Sequence, residues 1–228
     1  MKNFFLLQND TPVASILAEV QRWPEAWDLQ TGRQRIAVQR EAHAIPIRGI
    51  RKSKIGGRER RDVHETRFTT ISRQFPRTTS FLCEWARRLD AELARAKLVC
   101  LPPGNAVYPH ADRGEYYARR NRFHLTLQSE GSWMRAGEEE VRMQAGEFWW
   151  FDNKSDHEAR NDGTRDRIHL IFDLEPRDGV LGPVPAFEAG CMVPSNRGAA
   201  AENSHTDPIG DQPSEADSLR IETQRQGV

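Results

Sequence analysis

The chain has 228 residues and a mass of 26.1 kDa, enough for one domain of ordinary size and an extension. Its 33 Lys and Arg balance 33 Asp and Glu, so no global field points to nucleic acid or a membrane surface, and neither is expected as a partner. Three cysteines without motif spacing (Cys83, Cys100 and Cys191) argue against a disulfide scaffold and favour free thiols in a reducing compartment.

The N-terminal apolar run, Phe4 to Leu7, is too short for a signal peptide or a membrane span, so a cytoplasmic protein is expected. Thr11-Pro12 reads as an N-cap followed by proline at the first helical position. Val13, Ile16, Leu17 and Val20 then recur at helical spacing, which predicts a short helix ending near Trp23-Pro24. Further on, Ile36/Val38 and Ile45/Ile47 alternate with polar or small residues, predicting two strands around Glu41 to Ala44. Arg48 to Asp62 reads as a basic, glycine-containing loop, either a surface for an acidic partner or a solvated loop. Phe81, Leu82, Trp85, Leu89 and Leu93 form one apolar stripe, so a helix over Ser80 to Ala96 is expected to buttress a sheet.

From Leu98 short strands alternate with turn signals: Leu98 to Leu101, Arg122 to Leu127, Ser132 to Arg135, Val141 to Met143, Phe148 to Asp152, and Arg167 to Leu174. This spacing predicts a mainly β fold, a jelly-roll barrel with helical support outside it. Three portions follow: 1–97 supporting the barrel, 98–176 forming its core, and a tail over 177–228. The tail scatters prolines among small and charged residues, and the whole chain is only 37% hydrophobic with a mean hydropathy of −0.73. Such a segment buries too little apolar area to offset its ordering entropy and is expected to be mostly disordered.

The chemistry-bearing residues fall within 98–176. His110 and Asp112 are two apart, at a strand end, where both side chains can reach one metal. A third ligand must come from elsewhere in the sequence. Two neutral imidazoles and one carboxylate leave coordination positions open, as in non-haem Fe(II) oxygenases. Arg167 begins a strand expected to pair with the one carrying His157, across the Asn161-Asp162-Gly163 turn. A guanidinium inside a barrel needs an anion: a bound carboxylate, or a structural Asp or Glu on the rim. His169 shares a face with Arg167 and rivals His157 as third ligand, whereas His43, His64 and His205 read as surface or core residues. Of Trp149 and Trp150, one should face the core and one outward.

Five segments stand in order: Leu101-Pro-Pro-Gly-Asn-Ala-Val-Tyr-Pro-His110, Arg122-Phe-His124-Leu125, Gly146-Glu-Phe-Trp-Trp-Phe-Asp-Asn153, His157-Glu-Ala-Arg-Asn161 and Arg167-Ile-His-Leu-Ile-Phe-Asp173. Together they resemble the aspartyl/asparaginyl β-hydroxylase family of Fe(II)- and 2-oxoglutarate-dependent oxygenases. The resemblance is strong over about residues 98 to 174 and weak over Arg35 to Arg48.

It implies a double-stranded β-helix (cupin-like) fold with flanking N-terminal helices and iron held by His110, Asp112 and His157. Arg167 would anchor the far carboxylate of 2-oxoglutarate, and Arg122 and His124 would face cosubstrate or substrate carboxylates. The implied reaction uses O₂ and 2-oxoglutarate to hydroxylate an aspartyl or asparaginyl residue of a peptide, or a free amino acid. Some members of that family carry glycine where this chain has Asp112. The chain departs from the pattern in a longer insertion, Arg113 to Asn121, and in Val99, where some relatives place a hydroxyl. Arg113, Arg119 and Arg120 near the rim suit a carboxylate-bearing substrate. The rival expectation is a cupin-like barrel that binds a ligand or metal without turnover.

Overall fold

The computed structural model describes residues 2–55 and 58–183, excluding the side chains of 51–61. From residue 184 onward the tail expected to be disordered lies outside the described residues, as do Cys191 and His205. Among the described residues no helix is long and apolar enough to cross a membrane.

Eleven strands are described: β1 (Phe4–Gln8), β2 (His43–Ile55), β3 (Arg58–Phe68), β4 (Ala91–Leu101), β5 (Ala106–His110), β6 (Asn121–Gln128), β7 (Ser132–Ala136), β8 (Glu139–Val141), β9 (Phe148–Phe151), β10 (His157–Asn161) and β11 (Arg167–Pro176). They form a seven-stranded sheet ordered β1-β9-β6-β11-β4-β2-β3 and a four-stranded sheet ordered β5-β10-β7-β8. Among the described residues every neighbouring pair of strands runs antiparallel, from β1 with β9 to β7 with β8. The fold is mainly β, with two sheets in the double-stranded β-helix, cupin-like arrangement and few helices: α1 (Ala14–Arg22), α2 (Pro76–Arg88) and the one-turn α3 (Glu115–Ala118).

Strand alternation divides the core into two layers. On the outer face of the large sheet, Phe123, Leu125, Phe148, Leu170 and Phe172 pack with Ile16, Val20, Leu82 and Trp85 of the helices. The Phe148 ring stacks on Phe123 at 5.6 Å and on Phe172 at 5.7 Å between centroids. Each such buried phenylalanine contributes about 1.5–3 kcal/mol relative to exposure. Val99, Leu101, Met134, Phe151 and Ile171 form a second apolar cluster between the sheets. The same alternation sends Arg122, His124 and Thr126 of β6, and Arg167, His169 and Asp173 of β11, to that inner side, where all are buried.

Several expectations are corrected. Helix α1 starts at Ala14 with Val13 as a cap lacking any side-chain bond; the Thr11 hydroxyl caps nothing, and its N–H ties the preceding turn to the Gly146 carbonyl (2.9 Å). Ile36 and Val38 form no strand; Ala37–Gln39 is a 3-10 turn. The expected basic loop from Arg48 to Asp62 lies within β2 and β3, paired antiparallel with Ile55 opposite Arg58. Charge on β3 fits its place at the sheet edge, where charged residues discourage strand addition.

The helix expected over Ser80 to Ala96 stops at Arg88. Asp90 takes a positive φ of 43°, and Leu93 pairs in β4 opposite Leu174, so tertiary strand pairing overrides the helical spacing. The strand of Arg167 does not pair with that of His157. Strand β11 lies between β4 and β6, and β10 between β5 and β7, so the two residues face each other from opposite sheets.

Candidate active site

A β-bulge sets the first half of the site. Ala159 pairs with Val107 but His157 pairs with His110, so β5 has one extra residue between these positions. Pro109 lies in that irregular stretch, a position where a missing ladder N–H is tolerated. The bulge lets Val107 and His110 both line the cavity between the sheets. The His110 and His157 ring centroids are 4.3 Å apart.

Each imidazole is tied by Nδ1 to a carbonyl two residues upstream: His110 to Tyr108 O (2.7 Å) and His157 to Ser155 O (2.9 Å). A carbonyl only accepts, so Nδ1 carries the proton and Nε2 keeps its lone pair for a metal. Burial pushes His157 down to about 4, so it is neutral at physiological pH. Nε2 of His110 lies 3.1 Å from the side-chain nitrogen of Gln39, in the 3-10 turn.

Asp112 lies beyond the end of β5, held by its N–H on the Asn153 carbonyl (2.9 Å) rather than by strand alternation. Its Oδ2 accepts from Arg122 and from the Asn153 amide (3.0 Å), and Oδ1 has no hydrogen-bond partner among the described residues. Burial alone would raise this carboxyl, but Arg122, Asn153 and His157 hold it below its ordinary value. A carboxylate oriented through one oxygen with the other free is a usable metal ligand. Among the described residues, no three His, Cys, Asp or Glu side chains already stand closed around one point.

Arg122 and His124 both line the cavity. Arg122 also bonds Asp173 through Nε (2.8 Å) and Nη2 (3.0 Å), and against the pull of burial these partners raise its pKa. His124 is driven well below its ordinary value by burial and by Arg167, and its Nδ1 has no partner. Arg167 lines the same cavity, 3% exposed, and among the described residues its guanidinium donates only to the Met134 sulfur, at 3.8 Å. Burial and Arg33 lower it to about 10, so it stays cationic at neutral pH. No carboxylate among the described residues pairs with it.

His169 is fully buried on the same inner face, edge-on to His124 with ring centroids 5.6 Å apart, but does not line the cavity. Among the described residues neither of its nitrogens has a hydrogen-bond partner. Trp150 joins the outer core and Trp149 packs half-buried on the inner one. His43 meets Gln34 (3.1 Å), and His64 lies 3.5 Å from Glu115.

Two cations of the cavity went unforeseen: Arg33, from the loop before the 3-10 turn, and Lys97 of β4. Burial and the neighbouring arginines Arg33 and Arg122 push Lys97 well below its ordinary value. Strand alternation with Val99 would have found Lys97, whereas nothing in the loop sequence marks Arg33. Of the expected rim cations, Arg119 and Arg120 are both bound by Glu175, and Arg113 is exposed. The insertion forms α3, whose buried Tyr116 donates to Asp173 (3.0 Å).

Residues 59–176 match the model of the family described as Aspartyl/Asparaginyl beta-hydroxylase. The chain belongs to the aspartyl/asparaginyl β-hydroxylase family. No curated protein matches it. Among solved structures, an oxidoreductase of the 2OG-Fe(II) oxygenase family from Burkholderia pseudomallei is 11% identical with a TM-score of 0.50. That match covers 81% of this chain and 88% of the other. A prolyl hydroxylase from Trichoplax adhaerens, in complex with a hypoxia inducible factor peptide fragment, is 13% identical, also at 0.50, over 78% and 85%. These likenesses establish the fold that a β-hydroxylase family member shares with 2OG-Fe(II) oxygenases. The donor set fits the two groups this family implies: two imidazoles and a carboxylate for Fe(II), and, for 2-oxoglutarate, a buried guanidinium that no carboxylate among the described residues pairs with.

Proposed function

We propose that the protein is an Fe(II)- and 2-oxoglutarate-dependent dioxygenase that hydroxylates an aspartyl or asparaginyl residue of a peptide, or a free amino acid. The observation that carries this reading is the convergence of His110, His157 and the unpartnered Arg167 on one cavity. In this reading His110, Asp112 and His157 would hold the metal and Arg167 would hold the distal carboxylate of 2-oxoglutarate. Bound Fe(II) and 2-oxoglutarate supply the activation of O₂, with succinate and CO₂ as co-products.

The chain's own residues bind, orient and exclude water. Arg122 and Asn153 fix the Asp112 carboxylate, and the Tyr108 and Ser155 carbonyls fix the two imidazoles. Val99, Val107, Phe151 and Ile171 wall the cavity with apolar surface.

Four cations, Arg33, Lys97, Arg122 and Arg167, line this cavity, and the nearby carboxylates Asp112 and Asp173 both bind Arg122. Arg33, which burial and Arg122 lower only to about 10, is therefore available for a second anion, and this favours a substrate that presents a carboxylate to the metal. The test is oxygen consumption and succinate release by the anaerobically iron-loaded protein, across free amino acids and Asp or Asn peptides. A protein that binds neither Fe(II) nor 2-oxoglutarate, or gives no substrate-stimulated succinate, contradicts the reading.

A further inference from the structure

The larger sheet has seven strands and the smaller four, and its far end carries β2 and β3. There a surface trough of about 1240 Å³ opens between the loop after α1, the β2–β3 strands and the start of β4. The volume exceeds the roughly 300–1,000 Å³ usual for small-ligand pockets. Leu29, Ile50, Phe68 and Ile71 give it an apolar lining, with Leu29 63% and Phe68 36% exposed. Such side chains are left in water at a cost that a partner would relieve.

The charge of the trough has one sign. Arg67, Arg73 and Arg95 line it, and among the described residues no Asp or Glu does. None of the three arginines pairs with a carboxylate among the described residues; the Arg95 guanidinium instead lies 3.7 Å from the Tyr116 ring centroid. The trough also neighbours the metal cavity by way of shared walls. It shares Pro46, Gly49 and Arg95 with a smaller cleft, and that cleft shares Lys97, Arg122 and Ile171 with the cavity. The apolar, cationic trough thus lies one cleft away from the cavity of His110 and His157.

We propose that this trough docks an extended acidic polypeptide segment, whose reacting side chain enters the metal cavity through the cleft. The proposal rests on the hydroxylase reading for the reaction but not for the docking. A free amino acid would fill the inner cavity and leave the trough uncovered. A polypeptide covers it, placing apolar side chains against Leu29 and Phe68 and carboxylates against the arginine rim. Single exposed ion pairs are weak, so the rim acts as a set and its effect is screened by salt.

The experiment uses the full chain and two short fluorescein-labelled peptides, each with one central Asp and alternating Leu. One carries Glu at its remaining positions and the other Lys. Anisotropy should show binding of the Glu peptide alone, weakening as salt rises. Arg67→Glu with Arg73→Glu, both exposed and outside the metal cavity, should weaken it by about 10-fold or more, a change of about 1.4 kcal/mol. The 2-oxoglutarate affinity of that variant should stay at the wild-type value, which also shows that it is folded.

Equal binding of both peptides, no binding to the full chain, or no loss in the double variant overturns the docking proposal. Succinate formation from a free amino acid, with no peptide binding, overturns it while leaving the hydroxylase reading intact. Salt-sensitive binding of the Glu peptide without any succinate does the reverse.

Discussion

His157 lies directly across from His110 on neighbouring antiparallel strands, with their rings 4.3 Å apart and each Nδ1 held by a carbonyl. In the proposed reading their Nε2 atoms would be the imidazole donors for a metal, with Asp112 held beside the cavity by Arg122 and Asn153, while His169 packs edge-on to His124. Purified anaerobically, the protein should bind about one Fe(II) per chain. His110→Ala and His157→Ala should abolish binding, and His169→Ala should retain it. Iron content measured beside circular dichroism checks this, and iron loss confined to His169→Ala would move the third ligand.

Gly163 closes the loop between the strand of His157 and the strand of Arg167. A Cβ there would lie 1.6 Å from the Glu130 carbonyl oxygen, a backbone atom that cannot rotate away. Gly163→Ala should therefore cost at least about 1–3 kcal/mol, the usual range for overpacking. Urea unfolding measures it, and an unchanged midpoint would show that the loop shifts freely.

The fold class was legible because period-two strands are short, alternate cleanly and are punctuated by glycine and proline turns. Leu93 misled because its spacing from Leu89 is helical, and only its pairing with Leu174 across β11 makes it a strand residue. The charged stretch after Arg48 misled for another reason: an edge strand tolerates the composition of a loop. Among the residues that line the cavity, His110, His157 and Arg167 were legible through their motifs. Gln39 and Arg33 were not, since a 3-10 turn and a loop carry no periodicity that says which way a side chain points.

His169 and His124 give the stability a pH dependence with a defined sign. Burial and the neighbouring Arg167 push both well below their ordinary value, so the folded chain keeps them neutral. Below about pH 6.5 the unfolded chain protonates them and the folded chain does not. Stability therefore falls as the pH drops through that window, by up to roughly 1.4 kcal/mol per pH unit for each group. His169→Leu should flatten the slope by about one proton and leave the stability near pH 8 unchanged or higher, since it removes two unpartnered buried nitrogens. Denaturant unfolding from pH 5 to 8 in the metal-free protein reads this slope. A slope identical to wild type would mean that His169 gains a proton or a partner when folded.

Arg167 distinguishes an oxygenase from a barrel that only binds metal. Its guanidinium is buried against Met134 without a carboxylate, so the folded protein holds a charge it does not itself neutralise. Arg167→Met should thus leave the metal-free protein as stable as wild type or more so, where loss of a structural ion pair would destabilise it. The cosubstrate should respond in the opposite direction. Removing one partner of a buried, charge-assisted pair costs about 2–5 kcal/mol, so 2-oxoglutarate affinity should fall by roughly 30-fold or more while iron binding survives. Arg167→Lys should recover only part of it, because an ammonium lacks the planar fork that meets both carboxylate oxygens. Titration of 2-oxoglutarate into the iron-loaded variants under anaerobic conditions, beside their unfolding curves, gives both readouts. Unchanged affinity in a folded Arg167→Met protein would remove this residue from the cosubstrate site.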